Sequence, residues 1–504
     1  MLYRRQRVYF MLLAAVASSA MAQNPSVEKN PAGDPPSGLQ FAAAIEGALQ
    51  SAIARAEQSV VAISRVRRAR EGKDLQSADG RLTPFGLQLS SPGPDPTDPD
   101  FVPSEYGTGV VIDARGLILT NYHVLGEGDD LESYDYYVTA CDRKTRIARI
   151  KAADPRSDLA VLSIDGRGLS AMPLGDGGKV KKGQIVIALG NPYAIARDGQ
   201  VSASWGIISN LQRKAGRTPD ESTPSGKSTL HHLGTLIQTD AKLNLGASGG
   251  ALLNLQGEMI GLTTSLAAAA GYEQAAGYAI PVDETFRRIV DRLKNGEEPE
   301  YGFLGVQPEN LRPEMHSTET RGVIVQDVVR GTPADRYGVL RGDIITHVNQ
   351  KPIYDFDSLV LQVCSQAAGA DAVLTVERTN RTLEITVPLA KYRVQGHLVV
   401  TTPKPAWRGL RVEYWTAAVD FRVVRDELDL ITAAGCVIVS DVEKASLADK
   451  AGLKPQMAIT HVGSQRVSTP DDFRSAVASA TGPVSLQIAG SAEGQATELV
   501  VAAN

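Results

Sequence analysis

The sequence predicts a mainly β protein of several domains: a closed or sandwiched antiparallel β unit followed by two copies of a smaller domain. Three observations carry this. From Gly107 onward, short apolar β-prone runs alternate with turn residues, the spacing of an antiparallel barrel or sandwich. Further on, V-Q-D-V-V-R-G-T-P-A-D-R-Y-G-V-L-R-G-D-I-I-T-H-V from Val325 aligns without a gap on V-S-D-V-E-K-A-S-L-A-D-K-A-G-L-K-P-Q-M-A-I-T-H-V from Val439. A period of about a hundred residues marks duplicated domains, since solenoid repeats run about 20–50. Finally, 504 residues exceed what one core organises, and the length prior is about three domains.

The elements follow in order. Arg4, Arg5 and Arg7 precede an apolar run from Val8 to Ala17, and Ala20-Met21-Ala22 supplies small residues where a signal peptidase reads. This is a secretory signal over residues 1–22, cleaved after Ala22. The alternatives are an uncleaved anchor, for which the run is short of the ~20 residues a span needs, and a twin-arginine signal. No cysteine stands near the cleavage site, which argues against a lipoprotein, and no later segment suits a membrane span. The mature chain is therefore expected in the periplasm or secreted. Residues 23–40 read as a polar, Pro/Gly-rich leader. Phe41 to Gln58 reads as a helix with Ile45, Leu49 and Ile53 on one face.

Ser59–Ile63 reads as a strand, and residues 66–104 as a long exposed loop whose prolines remove backbone donors. Gly109–Asp113, Leu117–Thr120, Asp158–Ile164 and Gln184–Leu189 are further strands. Residues 211–229 form a polar insert. Glu284–Leu293 is a closing helix, and Asn295-Gly-Glu-Glu-Pro299 is a linker.

Composition excludes several function classes. A net charge of -5 speaks against a nucleic-acid partner, and Arg65-Val-Arg-Arg-Ala-Arg70 reads as a solvated loop. Cys141, Cys364 and Cys436 are odd in number and far apart, so they form no disulfide framework and read as buried small hydrophobes. HExxH, paired Cys/His spacing and a P-loop are all absent, so no metal or other cofactor is expected. His231-His232 reads as exposed loop, and His347 and His461 as equivalent structural positions of the repeat.

The chemistry gathers at Leu243 to Leu252, L-N-L-G-A-S-G-G-A-L. G-A-S-G-G fits the nucleophile-elbow pattern, weak alone because turns collect glycine and serine. An α/β-hydrolase needs a helix after the serine and a histidine beyond it. Here a hairpin at Leu255-Gln-Gly257 follows, and the later histidines lie in the repeats or their flanks. The order His, Asp, Ser on a β scaffold fits instead. His123 lies in L-T-N-Y-H-V and Asp158 in D-P-R-S-D-L-A-V-L, with Asp154 and Asp165 as competing carboxylates.

T-N-Y-H-V, S-D-L-A-V-L, Q-T-D-A-K-L-N-L-G-A-S-G-G-A-L and G-Y-A-I-P resemble the protease motifs of the HtrA/Deg family of secreted serine proteases. The paired repeat resembles its PDZ domains. The resemblance covers roughly residues 40–504. It implies a chymotrypsin-like double β-barrel protease domain over 41–294, a PDZ domain over 301–392 and a divergent one over 405–504. It further implies an ATP-independent endopeptidase acting on unfolded or damaged proteins in the cell envelope, reading exposed C-termini and assembling as trimer-based homo-oligomers.

Residue by residue, His123, Asp158 and Ser248 are the implied triad. The amides of Gly246, Ala247 and Ser248 form the implied oxyanion hole. Leu243, Thr263, Thr264 and Ser265 line the implied substrate pocket, and Phe303, Leu304, Gly305 and Val306 the implied PDZ carboxylate loop. The family's asparagine before the nucleophile is Ala247 here, costing a brace of ~1 kcal/mol if the donors are main-chain amides. Lys242 stands where trypsin-like enzymes hold an acid, so cleavage after Lys or Arg is not expected. In the second repeat Arg411 is read at the position of Gly305, Leu447 at that of Pro333 and Gln456-Met457 at that of Gly342-Asp343, implying an altered site. The competing class is a non-proteolytic chaperone or PDZ scaffold with an idle protease domain.

Overall fold

A computed structural model describes residues 38–68, 105–126, 128–166, 168–191, 200–216, 228–244, 246–265, 276–312, 321–379, 381–418, 435–489 and 497–503. The signal, nearly all of the leader, most of the 66–104 loop and most of the 211–229 insert lie outside the described residues. Two compact units are distinguished, residues 1–47 and 48–504. The described part of the first is the start of helix α1 (Gly38–Ala56), where Leu39, Phe41 and Ile45 are exposed. Later along α1, Leu49 and Ile53 pack on a core that buries Ala52 and Ala56.

Six strands make the first barrel: β1 (Val60–Arg67), β2 (Glu105–Asp113), β3 (Leu117–Asn121), β4 (Tyr134–Thr139), β5 (Thr145–Asp154) and β6 (Leu159–Ile164). They pair in the order β5-β4-β1-β2-β3-β6, and β6 closes back on β5. The second barrel uses β7 (Ile185–Gly190), β8 (Ser202–Arg213), β9 (Leu236–Thr239), β10 (Ala251–Leu253), β11 (Met259–Thr264) and β12 (Gly277–Pro281). Its order is β10-β11-β12-β9-β8-β7, with β7 returning to β10.

Successive side chains leave a strand on opposite faces, and here both faces are buried. Val61, Val111, Ile118 and Leu162 fill the first barrel. Their neighbours Val60, Val110, Leu119 and Val161 turn to a seam shared with Ile187, Leu189, Ala251 and Leu253 of the second. That doubled burial explains why these strands read as continuous apolar runs. It also places the loops of both barrels side by side at the seam. Burying one such side chain is worth about 1.5–3 kcal/mol.

Some local expectations are corrected. Arg65 is not in a solvated loop: it sits in β1, paired with Glu105 and stacked on the Tyr134 ring. Residues 211–213 of the supposed insert belong to β8. Cys364 and Cys436 are buried thiols, but Cys141 is exposed. His231 and His232 are buried, at 3% and 6% exposure, because the short 3-10 turn Leu230–Leu233 packs on the Arg156-Ser157 turn of the first barrel, the Leu230 amide donating to the Arg156 carbonyl.

The short helix α2 (Tyr122–Leu125) follows β3, and α3 (Glu284–Lys294) closes the second barrel. Asp283 caps α3 through the Phe286 amide, and Phe286, Ile289, Val290 and Leu293 recur at helical spacing to fill the seam.

The two repeats fold alike. In the first, β13 (Gly302–Phe303) precedes β14 (Val306–Asn310), β15 (Val323–Val328), β16 (Ile344–Val348), β17 (Lys351–Pro352), β18 (Asp371–Arg378) and β19 (Arg381–Pro388). The sheet order is β14-β15-β16-β18-β19 with β17 on β16, and helices α4 (Pro333–Arg336) and α5 (Phe356–Cys364) accompany it. After β20 (Ala390–Lys391) and β21 (Val399–Val400), the second sheet repeats the order with β22 (Leu410–Tyr414), β23 (Val437–Val442), β24 (Ala458–Val462), β25 (Gln465–Arg466), β26 (Val484–Ile488) and β27 (Thr497–Val501). His347 and His461 sit alike, each with Nδ1 3.1 Å from the preceding threonine hydroxyl.

The loop before the edge strand needs correction. Gly409, not Arg411, is the counterpart of Gly305. Both are left-handed, at φ +93° and +86°. The Gly305 carbonyl accepts from the Val329 amide at 2.9 Å, and the Gly409 carbonyl from Glu443 at 2.8 Å. A Cβ on Gly305 would strike Thr332, and one on Gly409 would strike Ser446. The second loop is therefore Trp407-Arg408-Gly409-Leu410. Arg408 replaces Leu304 and donates to the carbonyls of Ala480, Gly482, Val501 and Ala502. Arg411 lies on the edge strand, paired with Asp441 and Glu443.

Candidate active site

β3 ends at Asn121, and the next turn, α2, carries His123 to the rim of the seam. Asp158 occupies the tight turn between β5 and β6 with a left-handed φ of +55°. Several donors hold that strained residue. The Tyr122 amide donates to its carbonyl at 3.0 Å. Asn121 Nδ2 reaches Oδ2 at 3.0 Å and the His123 amide reaches Oδ1 at 3.1 Å, while the Thr264 hydroxyl faces Oδ2 from a longer 3.4 Å. His123 Nδ1 lies 2.9 Å and 3.0 Å from the two carboxylate oxygens. The carboxylate is 3% exposed and the imidazole 25%, so a buried acceptor orients a ring whose far edge faces the cleft. Asp154, a competing carboxylate, is fully buried and faces Ser157 and Tyr301 instead; Asp165 is exposed.

Ser248 arrives from the second barrel on the turn before β10, 8% exposed. Its Oγ donates to Ser265 Oγ at 2.9 Å, and Ser265 Oγ stands 3.4 Å from His123 Nε2. Imidazole, carboxylate and hydroxyl thus meet in one cleft. Two glycines make the turn possible: Gly246 (φ +88°) and Gly249 (φ +83°). A Cβ at Gly246 would lie 2.6 Å from the Tyr106 ring, and one at Gly249 would collide with the Thr108 carbonyl.

The loop is braced through its main chain. Thr108 Oγ1 donates to the Gly246 carbonyl at 2.7 Å and accepts from the Asn191 amide at 2.8 Å. The Thr108 amide donates to the Ser248 carbonyl at 2.9 Å. Thr263 Oγ1 donates to the Ala247 carbonyl at 2.5 Å. The Ala247 amide is spent on the Asn244 carbonyl at 3.0 Å, which corrects its reading as an oxyanion donor. Among the described residues no acceptor faces the amides of Gly246 or Ser248.

The expected pocket residues separate. Leu243 lines a recess of about 210 Å³ with Ala188, Gly190, Ser204, Lys242 and Ala247. Thr263 and Thr264 are buried, their hydroxyls turned to Ala247 and Asp158, so they brace and do not line. Ser265 meets the Ser248 hydroxyl. Thr108 and His231 escaped sequence reasoning: a threonine inside a strand and a histidine beside an insert carry no motif.

His231 stands behind Asp158. Its Nε2–H donates to the Ser157 carbonyl at 2.7 Å, and its Nδ1 takes the Thr235 hydroxyl at 2.7 Å. Burial holds its pKa below the usual histidine value, keeping the ring neutral in this tautomer. The rest of the turn is tied to the linker and first repeat. Tyr301 Oη donates to Asp154, and Arg156 donates to the Ser228 carbonyl at 2.8 Å and stacks on Tyr392. Burial pushes the Asp154 carboxyl up, against hydrogen bonds from Ser157 and Tyr301 that pull it down.

At the loop expected to hold a peptide carboxylate, Phe303 pairs with Ala390 in the β13–β20 ladder, Leu304 is buried, Gly305 turns and Val306 opens the edge strand β14.

Comparison with known proteins agrees with this architecture. Residues 107–262 match the trypsin-like peptidase domain family and residues 302–389 the PDZ domain family. The periplasmic pH-dependent serine endoprotease DegQ of Escherichia coli is 30% identical over 403 residues, covering 79% of this chain and 81% of that protein. A probable periplasmic serine endoprotease DegP-like of Brucella suis is 32% identical over 387 residues, covering 75% of this chain and 69% of that protein. Its Chlamydia muridarum counterpart is 29% identical over 404 residues, covering 79% and 74%. Among the described residues no helix is long and apolar enough to cross a membrane. With two closed barrels, a PDZ domain and these relatives, the chain belongs to the HtrA/Deg family of periplasmic serine endoproteases.

Proposed function

We propose that Ser248, His123 and Asp158 are the groups that cut the peptide bond. One observation carries this: the His123–Asp158 pair and the Ser248 hydroxyl share a cleft at the barrel seam, with Nδ1 within 3.0 Å of both carboxylate oxygens. His123 Nε2 takes the proton as Ser248 Oγ attacks the carbonyl carbon, and later returns it to the leaving amine. Asp158 keeps the other ring proton on Nδ1 and stabilises the imidazolium. The Gly246 and Ser248 amides receive the developing oxyanion, each such donor being worth roughly 3–4 kcal/mol. Water then attacks the acyl-enzyme through the same base. The recess at Leu243 and Ala247 is small and mixed, with Ala188, Leu243 and Ala247 beside Ser204 and Lys242; its size and the Lys242 cation favour small or medium aliphatic side chains over Lys or Arg.

The substrates are unfolded or damaged proteins. The first PDZ domain captures exposed C-termini by adding a strand to the free edge of β14, the carboxylate resting in the Phe303–Val306 loop. The second repeat is a further PDZ domain, supported by its identical strand order. The domains are taken as 41–294, 301–392 and 405–504, behind a cleaved signal over 1–22 and a leader over 23–40. Subunits form a homo-oligomer built on trimers, which sedimentation velocity tests.

The deciding experiment is casein digestion with fluorophosphonate labelling of wild type and Ser248→Ala. Turnover should fall about 10⁶-fold in the variant. Equal digestion by the two proteins would remove Ser248 from the mechanism. Mapping the casein fragments tests the pocket in the same tube.

A further inference from the structure

β11 supplies Thr263 and Thr264 as braces, and the next residue, Ser265, lies against the nucleophile. Its amide donates to Ser248 Oγ at 3.1 Å, and Ser248 Oγ donates to Ser265 Oγ at 2.9 Å. The Ser265 hydroxyl is 3.4 Å from His123 Nε2. Since Asp158 holds the ring proton on Nδ1, Nε2 is the lone pair that must receive the Ser248 proton.

A serine hydroxyl has one proton and two lone pairs. Here the Ser248 proton is directed to Ser265, and a lone pair of the same oxygen is engaged by the Ser265 amide. Attack needs the opposite: the proton passed to Nε2 and a lone pair aimed at the carbonyl carbon.

We propose that Ser265 is a latch on the nucleophile: it holds Ser248 in a resting, non-attacking geometry, and an incoming substrate chain displaces it. The proposal rests on the reading of Ser248 as nucleophile. The position suits a latch. Thr264, paired with Tyr278, is the last residue of β11 in the ladder, so Ser265 can shift without breaking it. Ser265 is half-buried, whereas Thr263 and Thr264 are buried. A relay of the proton through Ser265 is disfavoured, because 3.4 Å to Nε2 exceeds the usual reach of a hydroxyl donor, about 2.5–3.0 Å.

The test compares fluorophosphonate labelling rates and peptide kinetics for wild type, Ser265→Ala, Ser265→Gly and Ser265→Thr in the full chain. One hydrogen bond's net worth corresponds to roughly a fivefold rate change. Ser265→Ala and Ser265→Gly should label about fivefold faster than wild type. The gain should fall on kcat/KM and not on kcat, since bound substrate has already displaced the latch. Ser265→Thr, which restores the hydroxyl, should return the slow rate. Equal labelling in all four proteins overturns the latch, and slower labelling in Ser265→Ala replaces it with a relay. Absence of labelling at Ser248 in every protein would instead sink the nucleophile assignment, a separate outcome.

Discussion

At the scale of single residues, the site depends on hydroxyls that no motif announces. Ala247 presents no side chain to brace the nucleophile loop, and Thr108 and Thr263 hold the flanking carbonyls instead. Thr108 fixes the peptide planes on both sides of the proposed oxyanion hole, through Gly246 and Ser248. Thr108→Val should therefore lower kcat about tenfold with KM nearly constant, less than the 10²–10³ lost with a whole oxyanion donor. It also strands the Asn191 amide, so the unfolding midpoint should drop. Steady-state kinetics on a peptide substrate checks this, and a rise in KM at constant kcat would show that Thr108 serves binding. That His123, Asp158 and Ser248 would share one cleft was legible because residue type, order and neighbours together form a rare pattern. Thr108 was not, since one threonine in a strand resembles any other until the opposing loop is in place.

At the scale of elements, the turn from Asp154 to Asp158 joins the carboxylate proposed for the triad to its supports. His231 faces Ser157, Asp158, Arg156 and His232, and burial favours its neutral form. A histidine with a depressed folded pKa adds stability above its unfolded value of about 6.5, and that stability is lost as pH falls toward the folded value. Asp154 acts in the opposite sense: its raised pKa adds stability below its unfolded value, lost as pH rises. Between pH 7 and 5 the two contributions run in opposite directions, so the His231 share is read as a difference between variants. Lowering the pH across that range should cost wild type more of its unfolding midpoint than His231→Asn, as followed by scanning calorimetry. Identical pH slopes would show that His231 does not titrate with unfolding. Apolar runs foretold β1, β2, β3, β6, β7 and the hairpin of β10 and β11, but burial of His231 was hidden, because a polar dipeptide beside an insert reads as loop until tertiary contacts supply its partners. The repeat taught a similar lesson. Matching Leu410-Arg-Val412 to Leu304-Gly-Val306 put Arg411 at the glycine position, whereas the register, with Leu410 opposite Val442 as Val306 is opposite Val328, places Gly409 there.

At the scale of the whole molecule, the repeats are tied to the barrels and to each other by buried charge. Lys391 Nζ, in a side chain 4% exposed, lies 2.7 Å from Glu298 and 2.5 Å from Glu413. It thereby joins the linker, the end of the first PDZ domain and the second repeat. The segment after that domain returns to the first barrel, where Val399 and Val400 pair with Ala153 and Ala152 beside the Asp154 turn. Removing one member of a buried ion group leaves the others uncompensated, typically costing about 3–5 kcal/mol. Lys391→Met should lower stability by that order and expose the junction to limited proteolysis, and adding Glu298→Gln and Glu413→Gln should recover part of the loss. Denaturant unfolding measures both, and an unchanged midpoint in Lys391→Met would show the junction to be held by packing alone.

The sequence by itself determined the kind of chemistry, the β architecture and the duplication, because these rest on residue identity, strand period and self-similarity, all of which are local or repeated along the chain. Only the tertiary structure decided which hydroxyls brace the site, that the Ala247 amide is spent on Asn244, that His231 is buried, and that Ser265 rests on Ser248. Those outcomes depend on distances between segments remote in the chain, and hydrogen bonds form only where folding brings donor and acceptor within about 3 Å.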